Sequence, residues 1–179
     1  MIDAGAVRPA TPADATAIAG VHAASCRTTY RGHLPDEVLA RIGGERWTAA
    51  WTARLTRAEP RVLAFVIEAD GGEVTGFSAA APAPGRAWEL TALYLLERAQ
   101  RRGGGRRLFE AAMAGARAAG AESLTAWVLA ANEPAHRFYR ALGGQDAGSR
   151  TARIEGIEVV DLGYRWRCGA AGMVRSKPR

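Results

Sequence analysis

The run of residues 88–119 constrains this chain more than any other. An apolar stretch over 88–96 reads as a buried strand. Gln100-Arg101-Arg102-Gly103-Gly104-Gly105 then forms a glycine-rich turn, and a helix follows through residue 119. Leu108, Phe109, Ala112, Met113 and Ala116 are its inward face, and Gly120 its C-cap. Glycines let a backbone come close to a ligand, and a helix N-terminus offers unpaired N–H groups with a partial positive charge. A diphosphate fits such a turn. Five arginines (98, 101, 102, 106 and 107) stand here with no acid among them. The competing reading of these residues is a solvated loop, and the turn alone leaves both open.

The rest of the chain supplies a sheet and its cover. Residues 6–10 are a short strand. Thr11-Pro12-Ala13-Asp14 then opens a helix, with Thr11 as N-cap, Pro12 in the first position and Asp14 closing a capping box. Helical pattern resumes after Pro35 and runs to 57, interrupted at Gly43-Gly44, with Trp47, Trp51 and Leu55 on one inward face. Strands over 61–69 and 73–81 flank the turn Asp70-Gly71-Gly72 as a hairpin. A strand over 124–130, a short helix capped by Asn132 and ending at Gly143, and strands over 148–154 and 157–167 complete the order. This predicts an α/β fold of one domain over 5–167, a mixed central sheet of about seven strands flanked by about four helices. Residues 168–179 read as a flexible tail.

Composition excludes several classes. With 179 residues, 48% of them apolar, the chain can bury one sizeable core, which argues against disorder. No apolar run reaches the ~18 residues of a membrane span, and the start lacks the form of a signal peptide, so a cytoplasmic protein without membrane contact is expected. Cys26, Cys168, His22, His33 and His136 show no metal-ligand spacing. His22 is expected to be packed, His136 to lie on the surface, and Cys26 to have no nucleophilic role. The net charge of +6 admits a polyanionic partner. Nucleic acid is disfavoured, because the arginines gather at one glycine turn without interleaved aromatics.

Among phosphate-binding turns, a Walker loop is excluded by the absence of Gly-Lys-Ser/Thr, and a dinucleotide fingerprint matches poorly. The coenzyme A loop [QR]-x-x-G-x-[GA] is satisfied by Gln100, Gly103 and Gly105. After the next strand comes Asn132-x-x-Ala135-x-x-Phe138-Tyr139-x-x-x-Gly143. Together these motifs resemble the GNAT N-acetyltransferase superfamily, and the order of elements is similar from Val7 to Arg167. QRRGGGRRLFE resembles the branch that acetylates protein N-termini. ASCRTTYRGHLPDEVLARI resembles a bacterial branch of unassigned substrate.

The resemblance implies acetyl-CoA as co-substrate, no metal, and direct acetyl transfer to a primary amine. A small-molecule amine stands ahead of a protein N-terminus or lysine. An acyl-CoA-binding sensor without turnover is the alternative of another class, and a homodimer is common in the superfamily. The cofactor would meet Leu93, Leu95, Gln100, Arg101, Arg102, Gly103, Gly104, Gly105, Arg106, Asn132 and Tyr139. Leu93 would offer its N–H to the thioester carbonyl. Glu89 is implied as the base, directly or through a water, and Tyr139 as the acid. Tyr30, His33 and Glu89 would face the acceptor. Glu97, Ala99 and Gly144 depart from the family pattern, and Gly144 is expected to leave a gap beside the last helix.

Overall fold

Asp14 ties the start of the chain together. Its carboxylate accepts from the Thr11 N–H at 2.7 Å and from the Thr11 hydroxyl at 3.0 Å, as a capping-box acid does. Arg8 donates to the same carboxylate at 2.8 Å and to Glu68 at 2.5 Å, joining the first strand to the second. Those bonds to Arg8 hold the Asp14 carboxyl down at about 2.

The computed structural model describes residues 5–58, 62–154 and 156–169. Its strands are β1 (Ala6–Pro9), β2 (Leu63–Glu68), β3 (Val74–Pro82), β4 (Ala87–Leu95), β5 (Ser123–Leu129), β6 (Gln145–Ile154) and β7 (Ile157–Arg167). They form one sheet in the order β1-β2-β3-β4-β5-β7-β6. Every pair is antiparallel except β4 with β5. The helices are α1 (Ala15–Thr29), α2 (Asp36–Ala40), α3 (Glu45–Thr56), α4 (Gly104–Ala118) and α5 (Glu133–Ala141). Among the described residues these are five, in keeping with the interruption expected at Gly43-Gly44: both glycines adopt positive φ (107° and 79°), which ends one helical stretch and reorients the next. The expected tail lies outside the described residues from 170 onward. Cys168 is buried, and its N–H donates to the Glu122 carbonyl at 2.8 Å.

The pleat sends alternate side chains to two cores. Trp88 and Leu90 of β4 pack with Leu124, Ala126 and Val128 of β5 against Phe109, Ala112 and Ala116 of α4 and Tyr139 of α5. On the other face, Val66, Phe77 and Ala92 pack against Ile18 and Val21 of α1 and Trp51 of α3. The inward placement of Trp47, Trp51 and Leu55 read from their spacing is seen here.

His22 lies in this second core. Its ring is 4.5 Å from that of Trp47 and 4.7 Å from that of Tyr94, and Trp51 Nε1 donates to its Nδ1 at 3.3 Å. Accepting at Nδ1 requires the neutral ring. Burial, with Arg54 nearby, lowers its pKa to about 4. Between about 6.5 and 4 the unfolded chain binds a proton that the folded one does not, so stability rises with pH across that window. Acidifying from pH 7 to 4 should therefore cost about 3 kcal/mol from this residue. Urea midpoints followed by tryptophan fluorescence check this, and His22→Phe should flatten that part of the profile.

Candidate active site

The bulge in β4 creates the site. Ala79 pairs with Ala92 and Ala80 with Leu90, so Thr91 is an extra residue outside the register with β3, its hydroxyl donating to the Ala79 carbonyl at 3.3 Å. The parallel pairing of β4 with β5 runs only from Ala87–Ser123 to Leu90–Ala126. Past that point β4 stays on β3 to Leu95, while β5 stays on β7 to Leu129. The sheet splits there into two arms.

Alternation fixes what lines the split. The Leu96 N–H bonds the Thr75 carbonyl at 2.9 Å, on the β3 side. The backbone groups of Leu93 and Leu95 therefore point the other way, into the split. Similarly the Ala130 N–H bonds Val160 on β7 at 2.8 Å, which turns Trp127 and Leu129 toward the split. The Leu95 carbonyl is already held by Gln100 Nε2 at 3.1 Å and Ser25 Oγ at 3.2 Å. Gln100 thus anchors the turn to β4.

The turn carries the geometry its sequence suggested. Arg101 and Gly103 adopt left-handed φ (60° and 84°), and Gly103 is the N-cap of α4. The first helical bond is Arg107 N–H to the Gly103 carbonyl, so the N–H groups of Gly104, Gly105 and Arg106 have no partner within the helix. Gly104 is buried, and a Cβ there would stand 2.9 Å from Leu95 Cδ2. Arg98 pairs with Glu73, Arg107 donates to the Gly5 carbonyl, and Arg106 lies 3.8 Å from Glu110. Arg101 and Arg102 are exposed and have no acid partner among the described residues.

On the α4 side of the split stands Tyr139, buried among the rings of Phe109, Phe138, Tyr164 and Trp166. Among the described residues nothing bonds its hydroxyl, and burial raises its pKa well above the usual phenol value. Asn132 caps α5, its Oδ1 accepting from the Ala135 N–H at 3.2 Å. His136 corrects the sequence expectation of a surface residue, for it is 1% exposed. Its Nε2 meets the carbonyls of Leu129 and Ala130, both at 3.1 Å, and its Nδ1 the Tyr164 hydroxyl at 2.9 Å. It is drawn inward because the Ala130 carbonyl has no other donor among the described residues, while the Leu129 carbonyl, already bonded by the Asn132 N–H at 2.8 Å, takes it as a second. The gap expected at Gly144 is not found. A Cβ there would lie 2.7 Å from Trp166 Cζ2, and the indole fills the space.

Glu89 lies on the opposite face, since its neighbours Trp88 and Leu90 point to α4. Arg150 of β6 reaches it at 3.4 and 3.5 Å, and contacts Asp161 of β7 at 3.4 Å. The same guanidinium stacks 4.6 Å over Trp127 of β5. Beyond lies Tyr94, whose hydroxyl is close enough to the Tyr30 hydroxyl and the Cys26 thiol to influence both. Burial pushes both Tyr30 and Cys26 up to about 12, which keeps Cys26 a neutral thiol. Asp161 is close enough to Tyr30 to add to its shift. His33 is exposed in the loop after α1.

The structure thus brings the turn, Leu93, Leu95 and Tyr139 to one cleft. Glu89 and Tyr139 lie on opposite faces, with the split between them. Arg150, Asp161, Trp127 and Tyr94 were missed in the sequence. Asp161 carried a faint signal, as a buried acid inside the apolar run of β7. Among the described residues no three His, Cys, Asp or Glu side chains could hold a metal, and no helix is long and apolar enough to cross a membrane.

A model of the acetyltransferase (GNAT) family matches residues 27–143. The uncharacterized N-acetyltransferase YuaI of Bacillus subtilis is 31% identical over 164 residues, spanning 89% of this chain and 91% of that protein. PaiA N-acetyltransferase from Thermoplasma acidophilum, solved with coenzyme A, superposes with a TM-score of 0.72 at 18% identity, over 90% of this chain and 98% of that one. YncA from Salmonella typhimurium, solved with acetyl-CoA, gives 0.71 at 19% identity, over 94% and 96%.

Proposed function

Because the chain belongs to the GNAT acetyltransferase family and is therefore an acetyl-CoA-dependent N-acetyltransferase, we propose that it acetylates a small primary amine, with Glu89 as base and Tyr139 as acid. The split between β4 and β5 carries this reading. It opens beside the phosphate-type turn and exposes the inward backbone of Leu93. Acetyl-CoA would lay its diphosphate on the N–H groups of residues 104–106, near Arg101 and Arg102, and its thioester arm along Leu95 and Leu93 toward Tyr139. The Leu93 N–H would polarise the carbonyl as an oxyanion donor does.

An alkyl amine near pKa ~10.4 is free base in only about one molecule in 10³ at pH 7, so a base is needed. Glu89 takes a proton from the ammonium, the neutral nitrogen then attacks the carbonyl carbon, and the second proton it sheds on becoming an amide passes to solvent. The C–N bond forms, the C–S bond breaks, and the departing thiolate takes the Tyr139 proton. A phenol is a weaker acid than a thiol, so this last transfer is uphill by about 2 kcal/mol or more, which a thiolate leaving group tolerates. A small acceptor is favoured because Ile154, at the end of β6, packs against the cluster that includes Cys26, Leu34 and Val38, and would bound the acceptor side.

Thiol release from acetyl-CoA, followed with Ellman's reagent across a panel of amines and peptides, tests this reading. Release should require both substrates and be fastest with a small amine. Release with peptides alone would overturn the small-amine assignment, and binding of acetyl-CoA without release would point to the sensor.

A further inference from the structure

The sheet face that carries Glu89 holds an arginine where a bound cation would sit. The Arg150 guanidinium carbon stands over the Trp127 indole, 4.6 Å from the ring centroid, and the group contacts both Glu89 and Asp161. An aromatic face with two carboxylates around it is a seat for a positive charge. Arg150 fills it loosely. Its contacts of 3.4–3.5 Å are longer than the ~2.7–2.9 Å of a charge-assisted hydrogen bond. It also comes from an outer strand whose ladder is interrupted between Asp146 and Ser149, just before it. Arg165 on the same face is directed to Thr125 Oγ1 at 3.4 Å and leaves this seat free.

We propose that Arg150 is a stand-in for the acceptor's own positive charge and that Asp161 is the specificity residue holding that charge. This deepens the proposed function and rests on it. The nitrogen that attacks must be neutral, so the group seated on Trp127 is a second one. The acceptor is then a small amine with another cationic group a few carbons away, which on entry displaces Arg150 and frees Glu89.

Initial rates of the full-length enzyme with three acceptors of matched length test this: 1,4-diaminobutane, butylamine and 4-aminobutyrate. The wild type should favour the diamine over butylamine by about tenfold in kcat/KM, with 4-aminobutyrate last. Asp161→Asn should raise KM for the diamine about tenfold, leave butylamine little changed, and be partly rescued by Asp161→Glu. Arg150→Gln should lower KM for the diamine about three- to fivefold, as expected on removing a weak, half-exposed competitor. If 4-aminobutyrate is the best acceptor, Arg150 binds a carboxylate and the proposal is overturned. Equal losses for both amines in Asp161→Asn, or an unchanged or higher diamine KM in Arg150→Gln, overturn it as well. Should Arg150→Gln fail to fold, the wild-type ranking and Asp161→Asn still decide. Acetylation of other amines with no charge preference among the three overturns this inference alone. No thiol release with any amine overturns the proposed function too.

Discussion

Glu89→Gln is expected to lower kcat/KM for the amine by about two to three orders of magnitude, while KM for acetyl-CoA stays within about twofold. The glutamine keeps the shape of the side chain and its place on β4 but cannot take the amine proton. The variant then depends on the free base already in solution. That fraction grows tenfold per pH unit until about pH 10, so the deficit should narrow steadily as pH rises. A deficit independent of pH would mean that Glu89 serves only to anchor Arg150. That contact is half-exposed, so its loss should change stability by less than about 1 kcal/mol. Unchanged kcat/KM would remove Glu89 from the mechanism.

Tyr139→Phe should lower kcat about 10- to 100-fold without abolishing turnover. The ring is held by Phe109, Phe138, Tyr164 and Trp166, and these contacts survive in phenylalanine. Among the described residues the hydroxyl has no bond to lose, so thermal stability should stay nearly constant. That separates chemistry from folding. Burial raises the phenol's pKa, so Tyr139 remains protonated throughout the neutral range and suits the role of acid rather than base. The wild-type pH–rate profile should therefore show no loss from phenol ionisation below about pH 10. An unchanged kcat in the variant would exclude Tyr139 as the proton donor.

Local chemistry made much of the fold legible. The hairpin around Asp70-Gly71-Gly72, the Asn132 cap and the inward Trp47 and Trp51 depend on neighbours in sequence, and the structure contains them. The turn and α4 were equally readable, since glycine position and helical period both act locally. The split was not, because it depends on one extra residue, Thr91, in a pairing that only the folded sheet defines. Arg150 and Asp161 reach Glu89 through the strand order β4-β5-β7-β6, across 61 residues in the case of Arg150. No periodicity reports such a contact. His136 was misjudged for a related reason: its helix looks exposed in isolation, but the carbonyls ending β5 lie beneath it.

The most direct measurement is a titration of ¹⁵N-labelled protein with coenzyme A, followed by amide resonances. Saturable shifts should be largest at residues 101–106 and at Leu93, Leu95 and Trp127, and small along β1 and β2. Shifts concentrated instead around Arg8, Asp14 and Glu68, where a separate cleft of about 510 Å³ lies, would contradict the account. So would no shift at millimolar ligand.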